Sequence, residues 1–214
     1  MKHREYVGPE NKYDLVQANQ FCNLISIGLR EHHKLLDIGC GSLRGGRLFI
    51  MYLGKGNYYG IEPNNWLIED GIKLEIGQEL INMREPSFNH NADFDLSVFN
   101  TKFDYLVAQS IFSHASQRQI IECCKKAYEV MHENSVFIAT FINSLVPFLP
   151  SNISDPKTLQ GGKKNYDGEE WVYSGCVFYT PGFIISLIES TGLKCEIVPQ
   201  WHHPNGQTWL KITK

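Results

Sequence analysis

The feature that most constrains the fold is a short apolar run that stops at glycines and is followed by apolar residues at helical spacing. Residues 34–39 read KLLDIG, residues 40–46 read CGSLRGG, and residues 47–53 read RLFIMYL. Glycines at such a point let the backbone approach a ligand closely, and the amides that open the next helix face that ligand. The segment therefore predicts a strand, a tight turn and a helix, with a nucleotide-type ligand at the turn.

The same alternation continues along the chain. We predict further strands at residues 58–61, 103–108 and 135–142. Helices are predicted from residue 64 to about 72 or on to 81, and over 116–131; an earlier one carries apolar residues from Leu15 to Leu29. Strands that alternate with helices indicate βαβ units and a parallel sheet.

The C-terminal part changes character. Thr180 and Pro181 begin a predicted helix that Gly192 ends. Two strand-like runs, 193–198 and 208–213, are then joined by a connection with the turn signal PNG, which is too short for a crossover helix. The last strand is therefore expected to be antiparallel. Residues 143–175 show no period, and we expect this long loop to be a substrate lid.

Composition bounds the architecture and the partners. The chain has 214 residues, 43% of them hydrophobic, and a formal net charge of -3. That is enough for one sizeable core, so we expect residues 1–214 to form a single domain with an N-terminal cap helix region at 1–33. A slightly acidic chain lacks the broad basic field that non-specific nucleic-acid binding uses, which disfavours a nucleic-acid partner.

Cysteine spacing and apolar runs give further exclusions. The 6 cysteines show neither CxxC pairs nor His/Cys ligand spacing, so we expect reduced thiols and no metal site. The basic N-terminus has no apolar stretch behind it, which argues against a secretory signal and for the cytosol. The uncharged stretch 134–154 is interrupted by Asn143, Pro147 and Pro150, so we expect no membrane span.

The glycine pattern separates two classes of nucleotide-binding protein. In the dinucleotide fingerprint, glycines fall at i, i+2 and i+5, which here are Gly39, Gly41 and Arg44. An arginine at the third position crowds the helix–strand contact that glycine allows. This weakens the hypothesis that the chain binds a nicotinamide or flavin cofactor, but does not exclude it.

The segment LDIGCG, residues 36–41, resembles motif I of the class I S-adenosylmethionine-dependent methyltransferases. YYGIEP at 58–63, ADF at 92–94 and FDYLVAQS at 103–110 resemble later motifs of that family, in the same order. The resemblance implies an α/β fold, a Rossmann-like three-layer sandwich with a seven-stranded, mostly parallel sheet and an antiparallel last strand. It also implies S-adenosylmethionine as cofactor and S-adenosylhomocysteine as product.

The resemblance assigns residues to the cofactor. These are Asp37, Gly39, Cys40, Gly41, Glu62, Pro63, Asp93, Phe94 and Gln109. A carboxylate at residue 62 can accept two hydrogen bonds from a ribose diol. The acid at residue 37 lies in an apolar strand and needs partners, which we expect to be amides of the glycine loop or the cofactor ammonium. Asp95 is an alternative to the acid at residue 93.

Candidates for the methyl acceptor side follow the fourth strand and the later loops. His114 is the candidate base, because its ordinary pKa is near neutral. Candidate substrate-binding residues are Arg44, Phe112, Tyr173, His202 and His203. Each candidate also has a structural alternative: core packing for the phenylalanine, and a solvated position at a helix start for the arginine. The two histidines could instead lie at the rim, about 14 Å from the fourth strand, or form a zinc-free structural corner with Trp201 and Trp209.

These observations predict a methyltransferase for a small-molecule acceptor. Oxygen is favoured over nitrogen because of the candidate base. The family's Asn/Asp-Pro-Pro-aromatic motif, used on exocyclic amines of bases, is replaced by residues 108–112, AQSIF. Three alternatives stay open: a non-catalytic S-adenosylmethionine-binding module, a nicotinamide-dependent oxidoreductase and, less favoured, a nucleic-acid methyltransferase.

Overall fold

A computed structural model describes residues 3–143 and 176–214. The strands are β1 Leu35–Ile38, β2 Tyr58–Ile61, β3 Ser87–Asn89, β4 Phe103–Ala108, β5 Met131–Asn143, β6 Phe178–Tyr179, β7 Lys194–Ile197 and β8 Thr208–Thr213. The α-helices are α1 His3–Tyr6, α2 Tyr13–Ser26, α3 Gly46–Tyr52, α4 Asn65–Gly71, α5 Gln78–Arg84, α6 Gln117–Val130 and α7 Pro181–Glu189. The predicted lid at 143–175 and Tyr173 lie outside these residues, except for Asn143 at the end of β5.

The sheet has the predicted topology. Its strand order is β3-β2-β1-β4-β5-β8-β7, and β8 runs antiparallel to both of its neighbours. The other pairings along this path are parallel. One strand is additional to the seven expected: β6 pairs in parallel with the end of β5. The mostly parallel sheet with an antiparallel last strand is therefore confirmed.

Both faces of the sheet are covered. Along β4, Leu106 packs in a core with α6 and α7, whereas its neighbours Tyr105 and Val107 pack in a second core with α2 and α3. Successive side chains of a strand point to opposite faces, so a strand buried on both sides reads as a continuous apolar run. Two helical layers thus enclose the sheet, as the sandwich prediction requires.

The predicted helix after β2 is broken. It ends at Gly71, continues as a π-helical turn at Ile72–Ile76, and α5 begins after Gly77. A Cβ on Gly71 would lie 2.4 Å from the Ser42 carbonyl oxygen, and Gly77 has a φ of +90°. The close approach at Gly71 requires a residue without a side chain, and the positive φ of Gly77 separates the π-helical turn from α5. An unbroken helix to residue 81 was therefore wrong.

Among the described residues, no helix is both long and apolar enough to cross a membrane. The strand β3 was not predicted, because three residues are too few to show a period.

Candidate functional site

The carboxyl ends of β1, β2 and β4 meet at one edge of the sheet. Ile38 pairs with Ile61, and Asp37 pairs with Val107. The residues that follow these strands are therefore neighbours, although they are far apart in the sequence. Ligands of open α/β sheets bind at this edge.

The glycine loop after β1 is folded against the end of β2. The amides of Gly39 and Cys40 both donate to the Ile61 carbonyl oxygen, at 2.8 and 3.0 Å. Gly41 has a φ of +54°, and a Cβ there would lie 2.8 Å from a methyl group of Val7. The loop thus needs glycine for its backbone conformation and for the close approach of the N-terminal segment.

Glu62 joins the end of β2 to the glycine loop. One carboxylate oxygen accepts the Gly41 amide at 3.1 Å, and the other accepts the backbone and side-chain N–H groups of Asn64 at 2.9 and 2.8 Å. The residue is buried, whereas the following Pro63 is exposed. A carboxylate has about four lone-pair sites, so capacity for a further donor remains.

Asp37 has a partner that sequence reasoning missed. Its carboxylate is buried and accepts the hydroxyl of Tyr58 at 2.8 Å, rather than an amide of the glycine loop within the described chain. Burial raises the pKa of Asp37 to about 7, against the opposing effects of the Tyr58 hydrogen bond and the Arg44 charge. The only signal for this contact in the sequence was that Tyr58 begins the strand predicted to lie next to that of Asp37.

Arg44 is not a solvated residue at a helix start. It is 9% exposed and donates to the Val7 carbonyl oxygen at 2.6 Å. Burial lowers the pKa of Arg44, and the nearby Tyr13 and Asp37 act in the opposite direction. The alternative of a solvated arginine is therefore wrong.

The segment after β3 distinguishes its two acids. Asp95 caps the short 3-10 helix Leu96–Phe99, accepting the Ser97 amide at 3.1 Å and the Ser97 hydroxyl at 2.6 Å. Asp93 is exposed, and the half-buried Phe94 next to it has a φ of +57°. Asp95 is thus engaged as a cap, whereas Asp93 accepts the Asp95 amide at a longer 3.4 Å and is the more exposed of the two acids.

Gln109 and His203 are in contact, contrary to the expected separation of about 14 Å. Both side chains are buried, and the Gln109 amide nitrogen lies 3.0 Å from His203 Nε2. The connection between β7 and β8 runs back toward β4 and carries His203 with it. His202 stays exposed at the rim, where its carbonyl oxygen accepts the Asn19 side chain at 2.7 Å.

A second set of polar contacts links the connection between β7 and β8 to β4 and β5. The Ser110 amide donates to the Thr140 hydroxyl at 2.7 Å, and this hydroxyl donates to Gln207 at 2.5 Å. Gln207 in turn donates to the Ser110 hydroxyl at 3.0 Å. Sequence reasoning missed this network, because no local pattern brings residues of three separate segments together.

The two remaining acceptor-side candidates differ in burial. Phe112 has no exposed surface and packs edge-to-face on Phe137, with ring centroids 6.1 Å apart. The structure thus assigns it to the core, which corrects its candidacy as a substrate contact. His114 ends the 3-10 turn Phe112–His114 just beyond β4 and is half-buried.

The N-terminal segment lies over the glycine loop. The Tyr13 hydroxyl is 3.2 Å from the Ser42 carbonyl oxygen, and Lys12 donates to the Pro204 carbonyl oxygen at 2.8 Å. Arg4 forms an ion pair with Glu75 at 2.6 Å. Within residues 3–143 and 176–214, no group of three or more His, Cys, Asp or Glu is arranged to hold a metal ion.

Comparisons with known proteins agree with this geometry at the level of the fold. No family model matches the sequence, and no curated protein matches it. Magnesium protoporphyrin IX methyltransferase from Synechocystis PCC 6803 with bound S-adenosylhomocysteine is similar in structure, with a TM-score of 0.62 and 12% identity over 95% of this chain and 85% of that one.

Two further solved structures are similar. The complex of DhpI with S-adenosylhomocysteine has a TM-score of 0.67 and 11% identity over 98% of this chain and 90% of that one. An S-adenosylmethionine-dependent methyltransferase from Clostridium acetobutylicum ATCC 824 has a TM-score of 0.63 and 10% identity over 94% and 91%. The fold of this chain is thus the Rossmann-like fold of these methyltransferases.

Proposed function

We propose that this chain is an S-adenosylmethionine-dependent methyltransferase that acts on a small-molecule acceptor in the cytosol. The observation that carries the proposal is the contact between the Glu62 carboxylate and the Gly41 amide at the carboxyl edge of the sheet. It puts an anionic acceptor for a diol beside a glycine loop, in a fold that known methyltransferases share.

The residues present fit the cofactor. There is no room for a Cβ at Gly39 or Gly41, and these residues form the loop together with Cys40. Glu62 and Pro63 would hold the ribose, and Asp93 and Phe94 the adenine. Asp37, whose pKa is raised to about 7 by burial, is available to a cationic ammonium group, which would favour its ionised form. One end of the buried Gln109 amide has no hydrogen-bond partner within the described chain, which is consistent with a ligand at that point.

When bound, S-adenosylmethionine supplies an electrophilic methyl group, so the protein chiefly has to align the acceptor with it. His114, just beyond β4, would take a proton from an acceptor hydroxyl, which is why we favour oxygen over nitrogen as the acceptor atom. His202 lies at the rim, where it would contact a large acceptor, and residues 143–175 are proposed to cover the site within a single domain.

Turnover tests the enzymatic part of this proposal. We would incubate the protein with S-adenosylmethionine carrying a labelled methyl group and a panel of small hydroxyl- and amine-bearing acceptors. We expect labelled product from at least one hydroxyl compound. Binding of the cofactor without turnover on any acceptor would favour a non-catalytic module, and label transferred to RNA or DNA would favour a nucleic-acid methyltransferase.

A further inference from the structure

Gln109 and His203 form a buried pair whose hydrogen-bonding roles follow from one backbone contact. Gln109 comes directly after β4 and is 6% exposed, and His203 is 4% exposed. The Asn205 backbone amide lies 3.1 Å from His203 Nδ1, and the Gln109 side chain lies 3.0 Å from His203 Nε2. The ring therefore has one neighbour at each nitrogen.

The backbone amide determines the tautomer of His203. An amide N–H can only donate, so Nδ1 must accept and carries no proton; in a neutral ring the proton is then on Nε2. Burial and the positive charges of Arg44 and Lys12 lower the pKa of His203 to about 4, so the ring is neutral near pH 7. The Nε2–H group is thus a donor directed at Gln109.

A donor at Nε2 requires the oxygen of the Gln109 amide. The two ends of an amide have nearly the same shape, and a half-turn of the group exchanges them. With the oxygen on His203, the NH2 group takes the other position, which is buried and lacks a hydrogen-bond partner within residues 3–143 and 176–214. Buried polar groups are as a rule hydrogen-bonded, so this position calls for an acceptor atom from a ligand.

The location of the pair indicates which ligand this is. Val107, two residues before Gln109, pairs with Asp37 on β1, and a Cβ on Gly39 would lie 2.1 Å from the Ile111 side chain. Gln109 therefore lies beside the glycine loop.

We propose that His203 is a positioning residue: its Nε2–H holds the oxygen of the Gln109 amide and so turns the NH2 group toward an oxygen of the bound cofactor. This inference rests on the proposed function for the identity of the ligand. It replaces a direct substrate contact by His203 with an action through Gln109.

The tautomer can be measured without any ligand. A long-range proton–nitrogen correlation spectrum of histidine-labelled protein distinguishes the two neutral forms and the charged ring, and the spectrum of His203→Gln assigns the resonance. We expect His203 to be protonated at Nε2 only, without change from about pH 6 to about pH 8. A proton on Nδ1, or a charged ring, would overturn the proposal.

Calorimetric titration with S-adenosylhomocysteine tests the ligand contact. His203→Met removes the donor at similar length, and Gln109→Glu still accepts from His203 but has no NH2 group. We expect each to weaken binding by about tenfold, and His203→Gln, which keeps a donor, to recover much of the affinity. Melting curves would verify that the variants fold.

The results separate this inference from the proposed function. Wild-type affinity in His203→Met would overturn the positioning role alone, and wild-type affinity in Gln109→Glu would overturn the contact between the Gln109 NH2 group and the cofactor. Absence of binding to the wild-type protein would overturn the proposed function and the ligand contact together, while the tautomer spectrum would still decide whether His203 holds the Gln109 oxygen.

Discussion

The two sides of the site are held together in different ways. On the side of the glycine loop, which we call the donor side, the link between Gly41 and Glu62 spans 21 residues and involves a backbone amide. On the side of the β7–β8 connection, which we call the acceptor side, Gln109 meets His203 across 94 residues, and Ser110 meets Gln207 across 97. These are contacts between side chains.

This difference has a consequence for mutation. A contact to a backbone amide keeps that amide whatever side chain is substituted, unless a new side chain forces the main chain to move. Side-chain contacts are lost with a single substitution while the main chain stays in place. We therefore expect donor-side changes to act on cofactor affinity, and acceptor-side changes outside the Gln109–His203 pair to act mainly on turnover or stability.

The largest effect is expected from Gly41→Val. The new side chain meets Val7 and the residue has a φ of +54°, so the loop must shift and cofactor binding should fall below detection. Calorimetric titration with S-adenosylhomocysteine measures this. Gly77→Val is the matched control, because Gly77 also has a positive φ of +90° but no atom within 4 Å of a Cβ. Retained binding in Gly41→Val would show that this loop is not the site.

A buried acid on the donor side should make stability depend on pH. A carboxyl group whose pKa is raised to about 7 on folding stabilises the folded state at low pH, and this contribution is lost as the pH rises from about 4 to about 7. The free energy of unfolding of the wild-type protein should therefore fall relative to that of Asp37→Asn over this range, by as much as about 4 kcal/mol.

Chemical denaturation at several pH values measures this difference. Asp104→Asn is the control, and its effect on the pH dependence of stability should have the opposite sign. Hydrogen bonds from Lys34 and His132 outweigh burial there and lower the pKa of Asp104. A wild-type protein that gains stability with pH relative to Asp37→Asn would contradict the buried state of that acid.

In the turn after β4, His114→Ala should lower turnover by about 100-fold or more, as expected for loss of the base. Affinity for S-adenosylhomocysteine should stay near the wild-type value. His132→Ala serves as control, since His132 is the second residue of β5, at the other edge of the sheet, and pairs with Asp104 at 3.0 Å. Equal losses in turnover and in cofactor affinity would assign His114 a structural role.

Glu62→Ala tests the ribose contact. Loss of hydrogen bonds to a charged group should weaken cofactor binding by about 1.5 to 3 kcal/mol for each bond, or roughly tenfold to a hundredfold. Glu69→Ala, an exposed acid on α4, is the matched control. An affinity equal to that of the wild-type protein would refute the assignment of Glu62.

The smallest effect is expected from Thr140→Val, which keeps the shape but removes the hydroxyl that Ser110 and Gln207 contact. The free energy of unfolding should fall by about 1 to 2 kcal/mol, because two partly buried groups lose their partner. Affinity for S-adenosylhomocysteine should change by less than about twofold. Thr213→Val is the control, because Thr213 is half-buried and ends β8. A large loss of affinity in Thr140→Val would contradict the distinction between the two sides.

The same distinction explains what the sequence could predict. The glycine loop and Glu62 belong to short motifs at strand ends, and the parallel register brings them together once the strands are placed. The contacts of His203 and Thr140 depend on the path of the β7–β8 connection, which no periodicity encodes. The Tyr58 bond to Asp37 lies between these cases, because adjacent strands were predicted but the partner was not. The π-helical turn after Gly71 and the positive φ of Gly77 interrupt a helix that the apolar spacing alone would continue.

The most direct test of the central claim is a calorimetric titration of the wild-type protein with S-adenosylmethionine, S-adenosylhomocysteine and, as control, NAD. We predict binding of the first two in the micromolar range and none of NAD. Binding of NAD alone would contradict this claim and favour a nicotinamide-dependent oxidoreductase.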